Sequence, residues 1–153
     1  MKSIYEFLTE SLDSLYKNIL MKIKAGKSLA IEGDEDAALP LVKKAISEAG
    51  FTPVLILIDK MDAEDMGGYP WKDGKAILPN WVSHVEKAKN AVLIFLGNGK
   101  EDESLYNAMM PVVLKHTVCD KELKTLKSIV LISPDLSDMP DPIKSRFGGI
   151  LKA

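Results

Sequence analysis

The chain has 153 residues and a mass of 16.8 kDa, a size that fits one domain with a core of its own. Apolar residues make up 46% and charged residues 27%, which excludes disordered, collagen-like and disulfide-scaffold proteins. The net charge of −2 gives no overall basic excess, so we expect no nucleic-acid partner. No apolar run has membrane-helix length, acidic residues stand where a signal peptide has its apolar core, and Cys119 is the only cysteine. We therefore expect a cytoplasmic protein without a membrane partner.

The first predicted element is an amphipathic helix over residues 1–26. Ser3 and Glu6 have the spacing of a capping box, and Gly26 is the predicted end. Apolar residues recur at steps of three or four along one face, at Ile4, Leu8, Leu12, Leu15, Ile19 and Ile23. We expect this face to pack on the core of the domain, with a partner-binding helix as the alternative.

Residues 27–153 show short apolar strands alternating with helices, in what we treat as one α/β core. Strands are predicted over residues 28–33, 52–58, 91–96, 128–132 and 149–152. Helices are predicted over residues 34–49, 81–89 and 103–117, with Pro111 expected to kink or break the third. Residues 138–146 are predicted to be a proline-rich turn that leads into a short helix. Residues 59–75 are polar and glycine-rich, and are predicted to be a loop.

This alternation predicts three layers, with a mainly parallel sheet of four or five strands and helices on both of its faces. The runs 52–58 and 91–96 are continuously apolar, which predicts strands buried on both faces. Ligands of such sheets bind beyond the carboxyl ends of the strands. The segments that follow the strands are therefore the candidate functional sites.

A phosphate-binding loop needs G-x-x-x-x-G-K-[ST] between a strand and a helix, so that backbone amides face the phosphates. Lys27 lies in a Gly-Lys-Ser triplet that precedes the first strand, so we expect no such role for it. The slot after the strand begins with Gly33, which matches the first glycine. Ala38, Leu39 and Pro40 replace the second glycine, the lysine and the hydroxyl residue.

The same slot has gained three carboxylates, Asp34, Glu35 and Asp36. A like-charge contact at 4 Å costs about 1 kcal/mol in water and about 4 kcal/mol at an effective dielectric of 20. A triphosphate would therefore be repelled. The alternative interpretation is that these acids favour the N-terminus of the next helix, and neither interpretation predicts ordinary ATP binding.

The second nucleotide-site element is four apolar residues followed by an aspartate and usually a glutamate. The strand over residues 91–96 supplies the apolar part, but Gly97 and Asn98 stand where the two carboxylates belong. A simple turn is the alternative interpretation of these residues.

In three segments taken in order, the sequence resembles the AAA+ ATPase core, most closely the MoxR-like branch and related ATPases of phages and prophages. The segments are Asp-Ala-Glu-Asp-Met-Gly-Gly-Tyr-Pro at 62–70, Leu-Pro-Asn-Trp-Val at 78–82 and Met-Pro-Asp-Pro-Ile-Lys-Ser-Arg-Phe at 139–147. The third resembles the family's arginine-finger element, which makes Arg146 the candidate finger. Ser133 falls at the family's polar sensor position. The resemblance covers residues 27–153 and implies a P-loop-NTPase-like fold.

Both nucleotide motifs depart from the family, and the sequence ends where the family's helical lid begins. The resemblance therefore implies a non-catalytic AAA+-like protein without a cofactor, acting as a binding, structural or regulatory subunit. Its expected partner is a protein, either a second copy in an oligomer or an active AAA+ ATPase that receives Arg146. One alternative is a weak or unorthodox nucleotide-binding protein or NTPase that holds a metal with Asp59 or Asp65. Another is a small adaptor that recruits a partner through its N-terminal helix.

The remaining polar clusters predict no metal site. His116, Cys119 and Asp120 lie close together, but zinc needs three or four ligands, and His84 is the one further imidazole. The acidic residues of segment 59–65 fit a solvated loop better than a cation site. Trp71 and Trp81 flank this segment and are expected to pin it to the core.

Overall fold

The computed structural model describes residues 3–72 and 75–153, with the side chains of residues 70–72 outside the description. The helices are α1 (Ile4–Lys24), α2 (Glu35–Glu48), α3 (Ala63–Gly67), α4 (Trp81–Lys87), α5 (Glu103–Lys115) and α6 (Asp141–Arg146). The strands are β1 (Leu29–Glu32), β2 (Thr52–Leu57), β3 (Tyr69–Lys72), β4 (Lys75–Ile77), β5 (Ala91–Leu96), β6 (Thr117–Val118), β7 (Lys121–Glu122), β8 (Leu126–Ser133) and β9 (Ile150–Lys152).

Five strands form one parallel sheet in the order β2-β5-β8-β1-β9, which confirms the predicted mixed α/β fold. One face packs on α1 and α2 through an aliphatic cluster that includes Ile23, Val42 and Ile94. The other face packs on α3 to α6 through a larger cluster that includes Phe95, Met109 and Phe147. The helices therefore cover both faces, as the alternating pattern predicts.

The N-terminal helix follows the prediction in extent but not in packing. The Ser3 hydroxyl accepts the amide of Glu6 at 3.1 Å and caps α1. Ile19 and Ile23 are fully buried, whereas Ile4 and Leu12 are 81% and 51% exposed. The first three turns extend beyond the layer on which the helix packs, so the apolar face continues past its core contact.

Two other predictions about the strands and loops are wrong. β2 is the outer strand of the sheet, and helices cover only one of its faces, since Leu55 and Leu57 are 42% and 62% exposed. Segment 59–75 is not a plain loop, because it contains α3 and β3, and β3 pairs antiparallel with β4. Asp62 and Asp65 form a reciprocal capping box that starts α3, a short-range signal that the polar composition concealed.

α5 continues through Pro111 without a break in its helical residues, and it ends at His116 in the left-handed conformation with φ 51°. The small β6–β7 hairpin that follows was not predicted. Within the two described ranges, every helix is either too short or too polar to cross a membrane.

Candidate functional site at the two edges of the sheet

The connection between β1 and α2 is only two residues long, Gly33 and Asp34. The amide of Gly33 donates to the Ser133 carbonyl at 2.9 Å, and the amide of Ala153 donates to the Glu32 carbonyl at 2.9 Å. A Cβ atom on Gly33 would lie 2.7 Å from the Ala153 carbonyl oxygen. Gly33 is therefore packed between neighbouring strand ends, and the chain passes directly from strand into helix.

The three substituted positions of the phosphate-loop pattern lie inside α2. Ala38 is fully buried among the aliphatic residues beneath this helix, and Leu39 packs partly against them. Pro40 is an exposed residue of the helix interior. The pattern has the right length in sequence, but the helix begins at Glu35, since Asp34 caps it by accepting the Asp36 amide at 3.3 Å. Because α2 starts this early, the three residues lie in a helix and not in a phosphate-binding loop.

The segment after β5 contains a buried carboxylate that sequence analysis missed. The amide of Asn98 donates to Oε1 of Glu101 at 2.7 Å, and the Asn98 side chain accepts the Lys100 amide at 2.9 Å. Glu101 is 7% exposed, and its Oε2 atom has no hydrogen-bond partner within the described ranges. A Cβ atom on Gly97 would lie 2.0 Å from Glu101 Oε1, so glycine at this position leaves room for the carboxylate. The only sequence signal was the acidic run that follows the Gly-Asn-Gly turn.

Further carboxylates surround this edge. Burial, followed by the negative charges of Glu101, Asp138 and Asp135, raises the pKa of Tyr106 to about 12. Glu32 is paired with Lys152 and accepts the Leu136 amide at 2.8 Å, and these two contacts lower its pKa.

Asp34, Glu35 and Asp36 add exposed charge at the start of α2. The edge that binds phosphate in other parallel α/β sheets is thus strongly acidic in this chain.

Ser133, the candidate sensor, ends β8 and is 1% exposed. Its hydroxyl donates to the Asp135 carbonyl at 3.1 Å and lies 3.4 Å from the Asp135 amide. The hydroxyl therefore closes the turn after its own strand.

Arg146 lies at the amino ends of the parallel strands, whereas Gly33 and Gly97 lie at the carboxyl ends. It is the last residue of α6, just before the amino end of β9, and its side chain is exposed. It borders an open cleft of about 450 Å³ together with Lys22, Lys27 and His116. Phe147 is fully buried and anchors the end of the helix. The fold therefore separates the candidate finger from the candidate phosphate edge of its own chain.

The predicted metal candidates are engaged elsewhere. Nδ1 of His116 lies 3.2 Å from the Leu126 carbonyl oxygen, and burial lowers the pKa of this imidazole. The Cys119 thiol donates to the Gly67 carbonyl at 3.2 Å, and burial followed by the charge of Asp120 raises its pKa. Asp65 is held in the capping box of α3. Within residues 3–72 and 75–153, no three His, Cys, Asp or Glu side chains are arranged to hold a metal.

Trp81 does pin its segment to the core, as expected. It is 3% exposed, its Nε1–H donates to the Met66 carbonyl at 3.1 Å, and its ring contacts that of Phe95 edge-on. The side chain of Trp71 lies outside the described part of the structure.

Known proteins resemble this chain in fold but not in sequence. No protein-family profile matches the sequence, and no curated protein matches it. Among solved structures, the Thermotoga maritima RuvB Holliday junction branch migration motor is similar over the whole chain, with a TM-score of 0.59 and 15% identity. NtrX from Brucella abortus is similar over 92% of the chain, with a TM-score of 0.57 and 14% identity. The chain spans 48% of the first structure and 35% of the second. At these identities the similarity is one of fold: the chain shares with both structures a mixed α/β architecture, built in this chain on a five-stranded parallel sheet.

Proposed function

We propose that this chain is a non-catalytic AAA+-like protein that acts as a binding or regulatory subunit. The observation that carries the proposal is the two-residue passage from β1 to α2, which leaves no loop to surround a phosphate. Two further features support the proposal. Ala38 is buried in the core where a phosphate-binding loop would have its second glycine. The carboxylates at the carboxyl ends of the strands would repel the phosphates of a nucleotide. No cofactor is part of the proposal.

The first test is a calorimetric titration of the purified chain with Mg-ATP. We expect no saturable heat and no phosphate release. A one-to-one complex with a micromolar dissociation constant would overturn the proposal in favour of a weak or unorthodox NTPase.

The second part of the proposal is that Arg146 serves an active AAA+ ATPase bound beside this chain. An arginine that reaches a neighbour's transferring phosphoryl group stabilises transition-state charge, and such residues contribute about 10³–10⁵ in rate in other NTPases. Within the described ranges Arg146 has no ion pair, and it lies away from the acidic edge of its own chain. It is therefore free to act on another subunit.

The test begins with purification of the chain together with its partners from the native host. Arg146→Ala should leave the fold and the association intact while lowering the ATPase rate of the complex. Lys144→Ala is the matched control, because Lys144 lies on the same helix and is 3.9 Å from Asp141. If the partners include no ATPase, or if their rate is the same with Arg146→Ala, the donor role is refuted.

A specific observation also favours the adaptor function as a second candidate. The first turns of α1 expose five large apolar side chains outside the core: Ile4, Tyr5, Phe7, Leu8 and Leu12. Contiguous apolar surface of this kind marks interaction sites in soluble proteins. Removal of residues 1–12 should abolish capture of the partner while the remaining part of α1 keeps Ile19 and Ile23 in the core. If the truncated chain captures the same partners, the adaptor function is refuted.

A further inference from the structure

The outer edge of β2 carries backbone groups without partners. The amide of Thr52 donates to Asn90 at 3.0 Å and that of Ile58 to Leu96 at 2.9 Å, so the even-numbered residues of this strand face β5. Backbone groups alternate along a strand, and the N–H and C=O groups of Leu55 and Leu57 therefore point away from the sheet. Within the described ranges, no hydrogen bond reaches these two residues from outside the sheet.

Pro53 limits this free edge to a short segment. Proline has no N–H to donate, and in sheets it is confined to edges and strand starts. Pro53 occupies an outward-facing position of β2, next in the series to Leu55 and Leu57. The outer edge of β2 therefore offers two residues, Leu55 and Leu57, that each have a free N–H donor and a free C=O acceptor.

Beyond Pro53, the same edge lacks the charged side chains that usually protect against strand pairing. Edge strands normally carry lysine or another charge that prevents association with a second strand. Residues 51–58 contain no charged side chain, and Leu55 and Leu57 are 42% and 62% exposed. An apolar, uncharged edge with free backbone groups has the properties of an interface.

We propose that β2 pairs antiparallel with β2 of a second copy of this chain across a two-fold axis at Ile56. Leu55 of each copy then lies opposite Leu57 of the other. Each such pair exchanges two N–H···O=C bonds, so four hydrogen bonds use the N–H and C=O groups of Leu55 and Leu57 in both strands. The four leucines form one apolar cluster on one face, and the two sheets become one sheet of ten strands.

A second copy fits this edge better than an unrelated peptide because the edge is complementary to itself. The donors and acceptors match in number and spacing, leucine meets leucine, and no like charges within the strands oppose pairing. A groove of about 430 Å³ runs beside residues 52–56 against His84 and Lys87, so α4 leaves this part of the strand accessible. The contact is isologous, so it closes at a dimer. Because β9 lies at the far side of the sheet, Arg146 stays free, and the dimer does not depend on the proposed function.

The test is sedimentation of the full chain over about a hundredfold range of concentration, with backbone amide hydrogen exchange as a second measurement. The mass should rise from 16.8 kDa to about twice that value, and the amides of Leu55 and Leu57 should become protected as the dimer forms. Leu57→Lys should weaken dimerisation at least tenfold. Leu114→Lys, at an exposed leucine of α5, is the matched control and should leave it unchanged.

Three outcomes would overturn this inference. The first is a monomer throughout the concentration range, including one that binds a different protein through β2. The second is a dimer that folded Leu57→Lys does not weaken. The third is a dimer in which the Leu55 and Leu57 amides exchange as freely as in the monomer. The exchange measurement needs no variant, so it decides the question even if Leu57→Lys fails to fold.

Discussion

Gly97→Ala tests whether the buried carboxylate of Glu101 depends on the glycine beside it. The added Cβ atom would lie 2.0 Å from Oε1 and 2.9 Å from Cδ of Glu101, and the three nearest atoms all belong to this side chain. Gly97 is not among the glycines with positive φ, so alanine meets no backbone restriction there. The substitution therefore acts through the displacement of one carboxylate.

The expected change in stability is the difference of two effects. Moving Glu101 breaks the 2.7 Å bond from the Asn98 amide, and a hydrogen bond to a charged group contributes about 1.5–3 kcal/mol. Alanine also reduces the conformational freedom of the unfolded chain, which stabilises by about 0.4–1 kcal/mol. The net expectation is a destabilisation of about 1–2 kcal/mol, and each kcal/mol lowers Tm by about 2–4 °C at this chain length.

Urea denaturation followed by circular dichroism measures this change, and the Glu101→Ala background provides the control. Without the carboxylate the clash is gone, and Gly97→Ala should then stabilise the chain by about 0.4–1 kcal/mol. The sign of the effect should thus reverse between the two backgrounds. Equal stability of Gly97→Ala and the wild type, or the same loss in both backgrounds, would refute the assigned position of Glu101.

Three further outcomes are expected. The triple variant A38G/L39K/P40T should not hydrolyse ATP in a phosphate-release assay, because the helix starts too early to form the loop, and turnover at an ordinary rate would contradict this placement. Gly33→Ala should lower Tm, since the Cβ atom would lie 2.7 Å from the carbonyl oxygen of Ala153, and an unchanged Tm would contradict this close packing. Burial lowers the pKa of His116, so the unfolded chain binds the proton more readily and stability should fall as pH drops below about 6.5. Asparagine tolerates the left-handed backbone of residue 116, so His116→Asn should fold and should reduce the difference in unfolding free energy between pH 5 and pH 7. If the variant shows the same difference as the wild type, the pH dependence belongs to other groups.

The sequence was sufficient to predict the parallel sheet, because its signals are local and agree with one another. The run over residues 91–96 is buried on both faces, as continuous apolar composition indicates. The same composition failed at β2, since periodicity does not distinguish a central strand from an outer one. The position of a strand in the sheet depends on contacts between distant segments, and β2 is outermost only because nothing in the described ranges follows it in the order.

The candidate site was predictable in part. The departures at Ala38, Leu39 and Pro40 are visible in the sequence, but the length of the loop is not. That length depends on where α2 begins, and Asp34 decides this by capping the helix. Glu101 escaped prediction because its importance comes from burial by a tight turn rather than from a motif. The position of Arg146 opposite the acidic edge follows from topology, since a helix between parallel strands runs back along the sheet.

The carboxyl ends of the strands are acidic in this chain, where other parallel α/β sheets bind phosphate. The orientation of the helices is enough to explain this negative charge, without a loss of function. The helices run antiparallel to the strands they connect, so their N-termini gather at the carboxyl edge of the sheet. Acidic residues are favoured at these N-termini, and α2, α3, α5 and α6 all carry them in the first turn. In a phosphate-binding sheet the ligand supplies the negative charge that the first of these helices attracts. In this chain the side chains of Asp34, Glu35 and Asp36 supply it instead. A nucleotide would therefore have to displace or oppose charges that already stabilise the helix, and restoring the glycine and the lysine alone does not remove them.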